Sequence, residues 1–191
     1  MSSIYLFDVD GTLTPAKAKI VPSFKTAFQK WMKDKEVYIV SGGSFIRLVD
    51  QLGLETMEMT HGVFSCMGNV FHQRREQIND GGYSEWDIIY ENKFSGAKNL
   101  IRSLNSYAAK SDFPIKTGTH WEKRPGMINF SIVGTDATPE QRQKFKEWEG
   151  DFGERKRIVK KLREKYPELD FVIGGAVSID IFDKGNDKSQ V

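Results

Sequence analysis

The sequence predicts an α/β protein: a Rossmann-like core built on a parallel sheet, with an α+β cap inserted into it. Two observations predict this. Before Leu52 an apolar run twice ends in a polar, glycine-containing loop followed by a helical pattern, which is the rhythm of βαβ units with right-handed crossovers. After the turn-rich break Asn79-Asp80-Gly81-Gly82 that rhythm gives way to helices and strands without alternation.

The first apolar run, Ile4 to Phe7, reads as a buried central strand that delivers Asp-Val-Asp-Gly-Thr at its C-terminal end, where α/β sheets keep their sites. Pro22 to Lys33 carries Phe24, Ala27, Phe28 and Trp31 at helical spacing and leads into a strand, Glu36 to Val40. Ser41-Gly42-Gly43-Ser44 follows, and Ser44 caps a helix over Phe45 to Leu52. His61 to Phe71 reads as one further strand. Beyond the break come a long helix, Ser95 to Lys110, and an alternating stretch, Met127 to Val133. Thr138-Pro139 then opens a helical region that runs to Tyr166 with a break near Gly150 to Gly153, and Phe171 to Phe182 forms the last strand. This places the core at residues 1–83, the cap at 84–183 and a return to the core at 184–191, with the remainder of the core missing.

With 191 residues, 39% hydrophobic and 28% charged, the chain has the profile of a globular protein that folds without staples. Nearly balanced charge, 28 Lys and Arg against 26 Asp and Glu, speaks against a nucleic-acid partner but leaves small anions open. One cysteine, Cys66, reads as a small core residue. It and three scattered histidines give neither a disulfide nor a zinc-ligand spacing, which fits a reducing, cytoplasmic setting. The opening apolar run is too short to be a signal-peptide core or to cross a membrane. Glu154 to Lys165 is basic, yet Ile158, Val159 and Leu162 recur among its charges, so it reads as an amphipathic helix.

Asp8 and Asp10 lie two residues apart at a strand end and can share one reaction centre. One carboxylate can attack phosphorus while the other donates and recovers a proton at the leaving oxygen; Asp8 takes the first role and Asp10 the second. Two close carboxylates call for a divalent cation, and oxygen-rich phosphate sites favour Mg²⁺. Gly11 allows a sharp turn beside a ligand, and Thr12 can hydrogen-bond phosphate oxygens. The plain alternative is an Asp-rich turn closing a strand.

The string Leu-Phe-Asp-Val-Asp-Gly-Thr-Leu-Thr resembles the first motif of the haloacid dehalogenase superfamily, and within it the eukaryotic-type phosphomannomutases. The resemblance extends over nearly the whole chain from Ile4 and implies a haloacid dehalogenase-like core with an inserted cap. It implies that Gly43 and Ser44 form the phosphate-binding second motif, with Ser41 as the alternative hydroxyl, and that Lys188 is the third-motif lysine that neutralises the transferring group. Asp8, by its carboxylate, and Asp10, by its backbone carbonyl, would hold Mg²⁺. On the cap, Arg124, Asn129, Arg142, Ser178 and Asp180 fall on positions that bind the distal phosphate and sugar, and Lys17 stands on the core where the family has arginine. From alternation alone, Asn129, Ser131, Ser178 and Asp180 would equally be the polar face of a half-exposed sheet.

The activity so implied is a mutase that interconverts mannose 6-phosphate and mannose 1-phosphate through an aspartyl phosphate, with Mg²⁺ and a sugar 1,6-bisphosphate activator, as a homodimer joined through the cap. Thr135 replaces a family arginine, and Phe45 and Ser65-Cys66-Met67-Gly68 replace the family's acidic residue and Pro-Glu-Asn-Gly. The altered cap position favours a sugar-phosphate phosphatase, and the departures together point to a shifted specificity. The family continues beyond Lys188 to a fourth-motif aspartate, so the resemblance also leads to the expectation of a shortened chain with an incomplete metal site and weak turnover, or a silent phospholigand-binding remnant.

Overall fold

The computed structural model describes residues 3–15, 18–75 and 86–191. It divides into two compact units, with boundaries between Asn92 and Lys93 and between Asn186 and Asp187. Both boundaries lie later than the sequence suggests. Trp86–Glu91, expected in the cap, is a strand of the first unit that pairs antiparallel with Val70–Arg74. A polar break between neighbouring antiparallel strands has the same composition as a domain boundary, which is why the two were confused; Asn79 to Gly82 and Ser84 themselves lie outside the described residues. At the return, Lys184 donates its amide to the Glu168 carbonyl and Gly185 donates to Asp170 Oδ2, so this stretch stays with the second unit.

In the first unit β1 (Ile4–Phe7), β2 (Glu36–Val40), β3 (Gly62–Ser65), β4 (Val70–Arg74) and β5 (Trp86–Glu91) form one sheet in that order. The first three are parallel and the last two antiparallel, so the sheet is mixed rather than parallel throughout. The run His61 to Phe71 holds two strands, because Cys66, Met67 and Gly68 in succession take positive φ and reverse the chain, with Gly68-Asn69 as the one turn signal inside the apolar run. β1, expected at the centre, pairs only with β2 among the described strands and leaves Ile4 65% and Leu6 46% exposed. An apolar run signals burial but not the number of neighbours. Its other face does pack: Tyr5 and Phe7 meet Trp31 and Phe28 edge-on from α1 (Pro22–Met32). The core beneath the sheet joins Val9, Val37, Ile39 and Val63 to Phe28 and Met32 of α1, Leu48 and Leu52 of α2 (Phe45–Leu52) and Met57 of α3 (Leu54–Met57).

The second unit is an antiparallel sheet of β6 (Trp121–Arg124), β7 (Met127–Ser131), β8 (Leu169–Gly174) and β9 (Ser178–Asp183), in the order β6-β7-β9-β8. Three helices, α4 (Leu100–Lys110), α5 (Pro139–Phe152) and α6 (Glu154–Lys165), cover one face. Strand alternation sends Ile128, Phe130, Ile179 and Ile181 into a core with Leu104, Phe145 and Leu162, and puts Asn129, Ser131, Ser178 and Asp180 on the opposite side. α4 begins at Leu100 rather than Ser95, because Ser95 gives its amide to Asp183 and Asn99 enters the helix from left-handed φ. Thr138 and Gln141 form a capping box, and Gly153 at φ 59° separates α5 from α6. The expected strand Phe171 to Phe182 is instead a hairpin.

Buried Arg155 braces that hairpin. Its guanidinium meets Glu149 at 3.3 Å and donates to the carbonyls of Gly175 and Ser178. Burial pulls the Arg155 pKa down, and Glu149 opposes that pull. Among the described residues no helix is long and apolar enough to cross a membrane.

Candidate functional site

β1 runs into a tight loop anchored by buried Val9, whose carbonyl accepts from the amides of Thr12, Leu13 and Thr14. Gly11 takes φ 84° there and gives its amide to the Thr14 carbonyl. Asp8 and Asp10 flank Val9 and have different partners. Asp8 Oδ1 accepts from its neighbour Val9's amide at 2.8 Å and from Lys188 Nζ at 2.7 Å. Lys188 lies 180 residues further along and opens a short 3-10 turn, Lys188–Gln190, capped by Asp187. Asp187 accepts from the hydroxyl and amide of Ser189, and these bonds hold its carboxyl below the usual range. The Asp8 and Lys188 side chains are 40% and 34% exposed, so their ion pair adds little stability and stays within reach of a ligand.

Asp10 Oδ1 accepts from Gln51 Nε2 at 2.8 Å. Gln51 sits on α2, 2% exposed, and the same nitrogen lies within 3.3 Å of Thr14 Oγ1 and the Ala18 carbonyl. Sequence reading missed this residue. The signal was present: Gln51 occupies the buried stripe of α2 with Leu48 and Leu52, where an amide is costly unless it has a partner. Its Oε1 is buried without a hydrogen-bond partner among the described residues.

In the second loop, Ser41 Oγ accepts from the Gly43 amide at 3.1 Å, so neither the buried Ser41 hydroxyl nor that amide is directed to a ligand. Ser44 is the N-cap of α2, as expected, yet its side chain makes no capping bond and no acidic residue occupies the first turn. The hydroxyl and the helix N-terminus therefore keep their capacity for an anion. The Ser65-Cys66-Met67-Gly68 turn braces this loop, since Cys66 donates its amide to the Gly43 carbonyl and Met67 to the Ser41 carbonyl, both at 2.9 Å. Cys66 is buried as a free thiol. Phe45 packs on His72 at a tilt, with ring centroids 4.2 Å apart, and meets Trp86 edge-on at 5.1 Å. An aromatic cluster thus fills the place of the family's acidic residue. Burial pushes the His72 pKa from 6.5 down to about 4.

In the cap, Asn129 and Asp180 are paired across β7 and β9, and Asn129 Nδ2 donates to Asp180 Oδ1. Ser178 and Asp180 are 3% and 9% exposed rather than half-exposed. Ser178 Oγ donates to the Gly174 carbonyl. Arg124 meets Glu122 at 2.6 Å, and Arg142 donates from Nε and Nη2 to the carbonyls of Ala137 and Thr135. Thr135 Oγ1 donates to Asp136 Oδ1. Lys17 lies outside the described residues.

Asp8 and Asp10 present only oxygen donors, the kind Mg²⁺ takes, and a cation of this type is commonly held by one or two carboxylates with water and substrate phosphate. Among the described residues no cluster of three or more Asp, Glu, His or Cys forms a metal site. The Asp8 carboxylate and the Asp10 backbone carbonyl would fit such an ion only with ligand oxygens completing the set.

The family described as "Eukaryotic phosphomannomutase" matches residues 24–191. The phosphomannomutase of Glycine max is 37% identical over 188 residues, which is 97% of this chain and 74% of that protein. That of Galdieria sulphuraria is 35% identical over 192 residues, covering 98% of this chain and 73% of that protein. Among solved structures, a haloacid dehalogenase-like hydrolase from Bacteroides thetaiotaomicron aligns with a TM-score of 0.57 at 13% identity, over 100% of this chain and 74% of that one. The last is a likeness of fold. With most of its length matched by family and relatives, the chain belongs to the eukaryotic phosphomannomutase family.

Proposed function

We propose that the chain is a phosphotransferase of the sugar-phosphate mutase kind, interconverting mannose 6-phosphate and mannose 1-phosphate in the cytoplasm. The observation that carries the reading is the half-exposed Asp8 carboxylate at the end of β1, held by Lys188. A carboxylate oxygen of Asp8 forms a bond to phosphorus while the bond from phosphorus to the sugar oxygen of a bisphosphate activator breaks. Asp10, steadied by Gln51, gives that sugar oxygen its proton and takes one back from the hydroxyl of the sugar monophosphate that then receives the phosphoryl group. The Lys188 ammonium offsets charge on the transferring oxygens, and the Ser44 hydroxyl and α2 N-terminus bind them. The Asp8 carboxylate and the Asp10 backbone carbonyl would hold Mg²⁺, which would supply further charge neutralisation. Arg124, Asn129, Arg142, Ser178 and Asp180 grip the distal end of the substrate, with Lys17 assisting from the core, and two chains join through the cap.

A phosphatase is the second reading, and a specific observation favours it. Thr135 brings no charge, and two Arg142 donors are directed at backbone carbonyls, which weakens the second anion site that a mutase needs. Both readings are tested by incubating the chain and its Asp8→Asn variant with Mg²⁺ and mannose 1-phosphate, with and without glucose 1,6-bisphosphate. Activator-dependent mannose 6-phosphate marks the mutase. Inorganic phosphate alone marks the phosphatase, and neither product from the parent chain rejects both; an Asp8→Asn variant as active as its parent rejects the nucleophile.

A further inference from the structure

The second unit carries a charged groove between α4 and α6, away from every residue assigned above. Its volume is about 710 Å³, in the range of small-molecule sites. Arg102 and Lys110 line it from α4, and Arg157, Lys161 and Lys165 from α6. The α6 residues are spaced four apart, and Arg102, Ser106 and Lys110 are likewise spaced four apart, so each helix turns one face to the groove. Two carboxylates, Asp112 and Glu154, oppose five cations, and Glu154 already accepts from Ser111 Oγ at 2.6 Å. For Arg102, Lys110, Arg157 and Lys161 no ion pair is formed among the described residues.

Like charges at this spacing repel, and the sequence places three of them in a row on α6 although the whole chain carries a formal charge of only +2. An anion between the helices would relieve that repulsion. Ser103 and Ser106 line the groove as well, and Ser103 Oγ, which accepts from Lys165 at 2.8 Å and lies 2.7 Å from Tyr166 Oη, fixes the Lys165 ammonium at its edge. Buried Ile158 adds little apolar surface for anchoring a peptide, and Tyr107 is the single aromatic ring lining the groove, too few for stacking successive bases. The 11-residue length of α4 spans roughly 16 Å, suited to a compact ligand.

We propose that this groove binds a small molecule bearing two or more phosphate groups, with the α4 and α6 cations as its ligands. The test titrates the full chain with inorganic tripolyphosphate in low-salt, metal-free buffer by calorimetry. Alongside it run Arg157→Glu/Lys161→Glu and a control on the adjacent face of the same helix, toward β8, Lys156→Glu/Lys160→Glu, which changes the net charge equally. Reversing the groove pair should weaken binding about tenfold or more, while the control loses about twofold at most, the size expected of a delocalised field. Absent binding by the parent chain, or equal loss in the two variants, overturns the proposal. Tighter binding of a single-stranded oligonucleotide or of polyglutamate than of tripolyphosphate also overturns it, by giving the groove to a macromolecule. The milder Lys161→Gln, checked by circular dichroism, carries the same comparison against Lys160→Gln should the reversed pair fail to fold.

Discussion

Acidification should weaken the first unit through His72, by an amount the structure sets. His72 on β4 is 8% exposed, its Nε2 lies 3.0 Å from Ser65 Oγ, and its ring packs at a tilt against Phe45. Burial lowers its pKa from 6.5 to about 4, so the unfolded chain takes up a proton at a higher pH than the folded one. Below 6.5 the unfolded state therefore binds more protons, and stability that is present above that pH is lost as pH falls toward 4. At about 1.4 kcal/mol per pH unit, the interval from 6.5 to about 4 corresponds to roughly 3 kcal/mol. The perturbation is His72→Gln, which can still reach Ser65 but does not titrate. Urea denaturation of both proteins, from neutral pH down to that of the buried imidazole, should show the parent losing about 3 kcal/mol more than the variant. Parallel curves would refute the reasoning, because the carboxylates that titrate in the same range are common to both. Loosening should begin beside Phe45, the residue after Ser44, so the acid limb touches the candidate phosphate loop first.

Lys188→Met should lower the phosphoryl-transfer kcat by about 10²–10³ while changing stability by less than about 1 kcal/mol, since the pair is half-exposed; initial rates and a thermal melt measure the two, and an unchanged kcat excludes Lys188 from charge neutralisation. Gln51→Leu removes the amide that donates to Asp10, and a hydrogen bond to a charged group of about 1.5–3 kcal/mol corresponds to a fall in kcat of roughly tenfold to a hundredfold. The same rate assay checks it, and Gln51→Glu, similar in size but with a like charge, should be worse. Gly174→Ala would place a Cβ 2.3 Å from Asp180 Oδ2, displacing the Asn129–Asp180 pair at a cost of about 1–3 kcal/mol. Denaturation should report that loss and KM should rise with kcat less affected; a neutral outcome in both would show that the β8–β9 turn yields freely.

What the sequence made legible follows from how local each signal is. Strand β1 with its Asp8-to-Thr12 loop, helices α1 and α2 and the Thr138 cap each depend on residues a few positions apart, and all are where their patterns put them. The misplaced features depend on distant partners or on backbone angles. The reversal at Cys66–Gly68 rests on left-handed residues, two of which are not glycine, and composition announces it only through Gly68-Asn69. β5 belongs to the core because β4 pairs with it, and β1 stands at the edge of the described sheet because β2 alone does. At the site, residue types at a strand end indicated Asp8 and Asp10 and the family resemblance indicated Ser44, whereas the inward turn of the Gly43 amide and the bond from Gln51 emerge only from tertiary contacts.

The two carboxylates owe their difference to partners of unlike range. Gln51 reaches Asp10 from within the first unit's continuous stretch, 41 residues away, while Lys188 reaches Asp8 only after the chain has passed through the whole second unit and come back. The proposed proton-transfer group, Asp10, is therefore set by the folding of α2 against the first loop, and the cation of the proposed nucleophile, Asp8, arrives with the return segment. That segment is tied down within the same unit: Gln190 Nε2 donates to the Met67 carbonyl, and Asn92 donates to Gln190 Oε1. The Met67 turn in its turn holds the Ser41 and Gly43 carbonyls. One chain of hydrogen bonds thus runs from the lysine's segment to the Ser44 loop, so the residues beside Asp8 and those at the phosphate loop are positioned together. This is the physical reason the Ser65-to-Gly68 turn, whose Cys66 thiol is buried, bears on the geometry of both loops of the candidate site.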